Sequence, residues 1–124
     1  MTTQDKTTAI YVRTGVHSQT GYRSLATQEQ ACRTYAAAQG WRVGKVFADV
    51  GTWGTQRYRP SMHRLLAALR DGVVERVLIA RPDRLSRSQA DIKAILHVFE
   101  EWAVPCVSVE RPMHRRASQP AESE

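Results

Sequence analysis

The chain is short of cysteine, lysine and long apolar runs, and each shortage closes off a class of protein. No stretch approaches the roughly 18 consecutive apolar residues that a membrane-spanning helix needs. The polar start, Met1 to Thr8, carries no signal-peptide apolar core. A cytoplasmic protein without a membrane partner is therefore expected. The two cysteines, Cys32 and Cys106, form no CxxC pair, and each sits in an apolar context. Two buried free thiols are expected rather than a disulfide or a metal site. His17, His63, His97 and His114 share no ligand spacing, so neither a metal nor a cofactor is expected.

Lysine occurs only at Lys6, Lys45 and Lys93, so arginine supplies most of the 18 basic residues, against 12 acidic ones and a net charge of +6. Arginine-rich positive charge favours forked contacts to phosphate or carboxylate over diffuse attraction. A polyanion is a plausible partner on this ground, although a GC-rich genome would also raise arginine and alanine. The chain's 124 residues, 42% of them hydrophobic, suffice for one domain with a core and are too few for two ordinary ones.

The elements alternate. Thr8 to Arg13 is a β-branched and aromatic run that reads as a strand, ending where Thr14-Gly15 opens a loop. Ala26 to Gln39 has small and apolar residues at helical spacing, and Gly40 follows where a helix end favours positive φ. Arg42 to Ala48 reads as a second strand, followed by a glycine-bearing loop from Asp49. A second helix starts at Pro60 or Ser61, places Met62, Leu65, Leu66 and Leu69 on one face, and closes at Asp71-Gly72. Val73 to Ala80 is nearly continuously apolar, as a strand covered on both faces is, and should lie mid-sheet. Ser88 can cap a third helix running to Trp102, and Val104 to Val109 is the last strand. This predicts an α/β fold of three layers, Rossmann-like, with a mostly parallel central sheet and helices on both faces. Residues 1–8 are expected to be a disordered start, 9–110 the domain, and 111–124 a flexible basic tail. Trp41 is expected to pack beside the sheet, whereas Trp53 lies in a loop and is the better candidate for a contact.

A parallel sheet collects its site at the carboxyl ends of its strands. Three segments fall there: Arg13 to Gln19, Asp49 to Arg59, and Arg81 to Arg87. They carry Arg13, Gln19, Asp49, Arg59, Asp83, Arg84 and Arg87. Four arginines in one crevice would repel one another without an anion. A phosphate would accept their guanidinium forks, and charge developing in a transition state would be stabilised without a metal. The plainer alternative is that Arg84 and Arg87 brace the strand-to-helix turn and pair with Asp83 or Asp91.

The pattern resembles the catalytic domain of the serine recombinases: resolvases, invertases and large serine integrases. Tyr11, Arg13 and Gln19 match the opening motif Tyr-x-Arg-Val-Ser-Thr-x-x-Gln in register. Asp49, Gly51, Gly54, Arg59 and Pro60 match the second motif, and Asp83 through Ser88 match Asp-Arg-Leu-Ser-Arg-Ser, with Pro82 in place of leucine. Ser24-Leu-Ala-Thr-Gln28 is similar to the segment that opens the family's first helix. The resemblance spans Ala9 to Glu110.

It implies a serine hydroxyl that attacks a DNA phosphodiester, forms a 5′-phosphoserine and frees a 3′-hydroxyl, after which a tetramer exchanges and rejoins strands. That serine corresponds to Gly15, and the threonine after it to Val16. Neither side chain has an oxygen. The expectation is a resolvase-like domain without the nucleophile, catalytically silent, acting as a DNA- or phosphate-binding or regulatory module that pairs with itself or with another recombinase. Two alternatives stay open: an active recombinase or nicking fragment using Thr14 or Ser18, and a small domain binding a phosphorylated ligand. Family members continue into a long helix and a DNA-reading domain. With about fifteen residues after the last strand and prolines at 112 and 120, neither part is expected here, so DNA binding should be weak.

Overall fold

The structure is a computed structural model and describes residues 6–14, 24–50, 59–86 and 88–110. Eight elements follow in order: β1 (Thr7–Thr14), α1 (Leu25–Gln39), β2 (Val43–Val50), α2 (Pro60–Arg70), β3 (Val74–Ile79), a 3-10 turn (Pro82–Arg84), α3 (Gln89–Glu101) and β4 (Cys106–Ser108). The strands form one sheet in the order β2-β1-β3-β4, and every pairing is parallel. This is the expected α/β architecture, with β3 inside the sheet and β1 beside it.

Alternation along the strands divides the core. Ala9, Tyr11, Val77 and Ile79 pack with Phe47, Met62, Leu65, Leu69, Ile95 and Phe99, on the face covered by α2 and α3. Ile10, Val12 and Leu78 point to the other face, where Cys32 and Ala36 of α1 meet them. The helix ends follow the local chemistry. The Ser24 hydroxyl accepts from Thr27 N, and the Ser88 hydroxyl accepts from Asp91 N. Gly40 closes α1 at φ 78°, a conformation that a side chain would strain.

Strand β1 begins earlier than expected. It starts at Thr7, one residue before the expected Thr8, inside the span 1–8 also expected to be disordered; Thr8 N donates to Arg42 O at 2.9 Å, and Thr8 is fully buried between β2 and β3. Cys32 is buried and Cys106 half-buried, and both are free. Burial, with acidic neighbours such as Glu110 contributing, pushes the Cys32 thiol up to about 12, and burial raises Cys106 to about 12 as well. Trp41 packs at the margin of the α1 face with the Arg76 guanidinium 4.0 Å above its ring. Trp53 and the tail 111–124 lie outside the described residues. No helix among the described residues is long and apolar enough to cross a membrane.

Candidate functional site

The carboxyl ends of β1, β2 and β3 bring together five of the residues expected at the site: Arg13, Asp49, Arg59, Asp83 and Arg84. Arg13 and Asp49 are register partners at the ends of adjacent strands. Both are buried, Arg13 to 7% exposure and Asp49 to 4%. Gly15, Gln19 and Arg87 lie outside the described residues, as do Val16, Ser18, Gly51 and Gly54. Gly15 immediately follows Thr14, the last residue of β1.

Asp49 ties three elements together. Its Oδ2 accepts from the Tyr11 hydroxyl at 2.8 Å and from Met62 N at 3.0 Å, and its Oδ1 accepts from Ser61 N at 2.9 Å. Helix α2 has no side-chain cap of its own at Arg59. A carboxylate reaching across from β2 therefore supplies both the hydrogen bonds and the negative charge that a helix N-terminus favours. Ser61 completes the joint by donating its hydroxyl to Ala48 O at 2.7 Å. The Tyr11 hydroxyl, buried and beside a carboxylate, is pushed well above its ordinary value and stays protonated as a donor.

Arg13 and Arg84 clasp each other. Arg13 Nε donates to Arg84 O at 3.0 Å and Nη2 to Asp83 O at 3.1 Å, while Arg84 Nη1 donates to Arg13 O at 2.8 Å. Arg84 also pairs with Asp83 at 3.0 Å. Arg59 donates through Nη1 to Leu85 O and pairs through Nη2 with Asp91 Oδ2 at 2.7 Å. Of the pairings expected for Arg84, the one with Asp83 is present, and Asp91 serves Arg59.

These contacts alter the electrostatic argument. Among the described guanidiniums, Arg59 pairs with Asp91 and Arg84 with Asp83, and Arg13, Arg59 and Arg84 each also donate to main-chain carbonyls. Two of these cations are thus compensated by carboxylates of the protein itself. Arg81 adds a buried Nε with no hydrogen-bond partner among the described residues, one position before the 3-10 turn.

Gln28 carries a role that its position in a motif left unassigned. Its Oε1 accepts from Arg13 N at 3.1 Å and its Nε2 donates to Arg13 O at 2.9 Å, so the side-chain amide pairs with the main chain where β1 ends. The signal was available: Gln28, Cys32 and Ala36 form the buried stripe of α1, and a glutamine on such a stripe needs polar partners. Thr14, one of the two hydroxyls considered as substitute nucleophiles, is 1% exposed. Away from this charged end, a cavity of about 650 Å³ lies between α2 and the first residues of β1, β2 and β3, floored by Phe47, Ala67, Ala68 and Val74.

The fold agrees with the comparisons to known proteins. The family described as "Resolvase, N terminal domain" matches residues 8–123, a span that takes in the segment expected to be an unpatterned tail. The N-terminal catalytic domain of TP901-1 integrase superposes with a TM-score of 0.78 at 30% identity, covering 87% of this chain and 81% of that one. Tn917 resolvase of Enterococcus faecalis is 29% identical over 91 residues, which are 73% of this chain and 48% of the resolvase. An uncharacterized immunity region protein 3 of Bacillus phage phi105 is 31% identical over 71 residues, 56% of this chain and 85% of that protein. The chain belongs to the resolvase N-terminal domain family, and its fold is that of a serine-recombinase catalytic-type domain. It spans about half the length of the Tn917 resolvase.

Proposed function

We propose that this chain is a serine-recombinase-type domain that works in DNA recombination without the covalent step, as an anion-binding and regulatory module. The observation that carries the reading is the glycine at position 15. It directly follows the strand whose Arg13 is held by Asp83 and Arg84, in a cluster that keeps its arginines and aspartates. A phosphoserine intermediate requires a hydroxyl that glycine lacks, and losing a nucleophile removes the intermediate itself rather than slowing a step. The burial of Thr14 opposes its use as a substitute, since attack tolerates displacement of only ~1 Å before rates collapse. The module's partners are DNA phosphates and a second recombinase-type subunit, either its own copy or an intact enzyme.

The test is incubation with supercoiled plasmid, scored for nicked circles and for protein covalently joined to DNA. Neither product is expected, and a covalent adduct would overturn the inactive reading in favour of another nucleophile such as Ser18. Gel shifts over a salt series test the anion-binding part. Log affinity should fall linearly with log salt if phosphates are engaged, and salt-independent binding would refute it.

A further inference from the structure

Two of the aspartates beside the arginines differ in how firmly they are held. Asp49 is 4% exposed and accepts from three donors on two elements, so it is built into the framework. The Asp91 side chain is 34% exposed, and its carboxylate meets Arg59 Nη2 at 2.7 Å. Its helix does not depend on that carboxylate for a cap, because the Ser88 hydroxyl accepts from Asp91 N. Arg59, by contrast, is 9% exposed and is anchored independently through Nη1 on Leu85 O. If Asp91 swings towards water, the guanidinium stays where it is with Nη2 open.

We propose that Asp91 is an internal stand-in for phosphate, a carboxylate that occupies the Nη2 arm of Arg59 and that an incoming phosphoryl group displaces. This rests on the anion-binding reading above and names the group that sets the affinity. An ionised carboxylate oxygen and a phosphate oxygen are alike as charged acceptors for a guanidinium N–H. A partly exposed ion pair is weak enough to be exchanged. Asp91 is thus a positioning residue: it keeps the buried cation compensated and aimed while no phosphate is present.

The experiment titrates inorganic phosphate into the full chain while following the Arg59 Nε–Hε resonance by NMR, in the natural protein and in Asp91→Asn. The asparagine keeps shape and a hydrogen-bond acceptor but removes the competing charge. Phosphate should bind Asp91→Asn about fivefold tighter, the size of one partly exposed ion pair. Asp91→Glu should return the affinity towards the natural value, and Arg59→Gln in the Asp91→Asn background should abolish the gain. A purely structural Asp91 predicts the reverse, weaker binding with lower thermal stability.

Equal or weaker binding by a folded Asp91→Asn, with the natural protein still binding phosphate, would overturn the role of Asp91 and leave the anion-binding reading standing. Binding by Asp91→Asn alone would support the role and overturn the reading for the natural protein. Binding by neither would overturn both. Should Asp91→Asn fail to fold, the natural protein decides: phosphate must move the Arg59 Nε–Hε and Asp91 carboxyl resonances together, and an unmoved Asp91 carboxyl resonance refutes displacement.

Discussion

The two faces of the sheet are held by different means. On one, α2 and α3 press Met62, Leu65, Leu69, Ile95 and Phe99 against Tyr11, Phe47, Val77 and Ile79. On the other, α1 meets Ile10, Val12 and Leu78 with the small residues Cys32 and Ala36, and its first turns are fastened by the pairing of Gln28 with the Arg13 main chain. The first face joins a larger apolar cluster to the Asp49 joint, and the second joins a smaller one to the Gln28 pairing. The helix on the lightly packed face is also the one that braces the end of β1 next to position 15.

The largest expected effect breaks the heavily packed face at its polar joint. Asp49→Ala would strip partners from the Tyr11 hydroxyl, Ser61 N and Met62 N at once, at about 4 kcal/mol if each buried donor costs somewhat over 1 kcal/mol. Urea unfolding should show it, and a loss below about 1 kcal/mol would mean that water replaces the carboxylate. Leu65→Ala, at a fully buried position on α2, should cost about 3 kcal/mol through lost transfer energy and the cavity left behind. Its urea midpoint should fall well below that of any truncation of similar size on α1.

Gln28→Ala should cost about 2 kcal/mol by removing two buried hydrogen bonds to the Arg13 main chain, whose carbonyl keeps Arg84 Nη1. It should also speed hydrogen exchange in α1 more than in α2 or α3. Uniform acceleration across all three helices would show that the two faces unfold as one unit.

The smallest effect is chemical and appears at alkaline pH. Each thiol is raised from an ordinary 9.0 to about 12 in the folded chain. Folded protein therefore holds these protons where unfolded chain releases them, so stability is full below pH 9 and falls as pH rises towards about 12. At pH 8 native Cys32 should alkylate slower than an unfolded control by on the order of a thousandfold, following the thiolate fraction. Comparable rates would show that α1 opens readily.

Much of this was legible before the structure. Strand β3 announced itself as a continuous apolar run, α2 by Met62, Leu65 and Leu69 on one face, and the helix ends by Ser88 and Gly40. The candidate site was legible as composition, because residues following parallel strands converge whatever their partners. What stayed hidden was who pairs with whom. Nothing in the spacing of Arg59 and Asp91, 32 residues apart, announces their contact. Nor does the repulsion of several arginines, weighed without neighbouring carboxylates and carbonyl oxygens, reveal that Arg59 and Arg84 each find an aspartate. The early start of β1 at Thr7 was masked by a polar, threonine-rich segment that gains its order from pairing with β2 and β3.

The joint between Asp49 and the first turn of α2 has a consequence for tolerance to change. Val50 and Arg59 are separated by the eight residues 51–58, and the hydrogen bonds of Asp49 and Ser61 fix both ends of that connection independently of its content. Position 49 therefore tolerates change poorly: a side chain that cannot accept from both amides of the first turn would release the strand and the helix from each other at once.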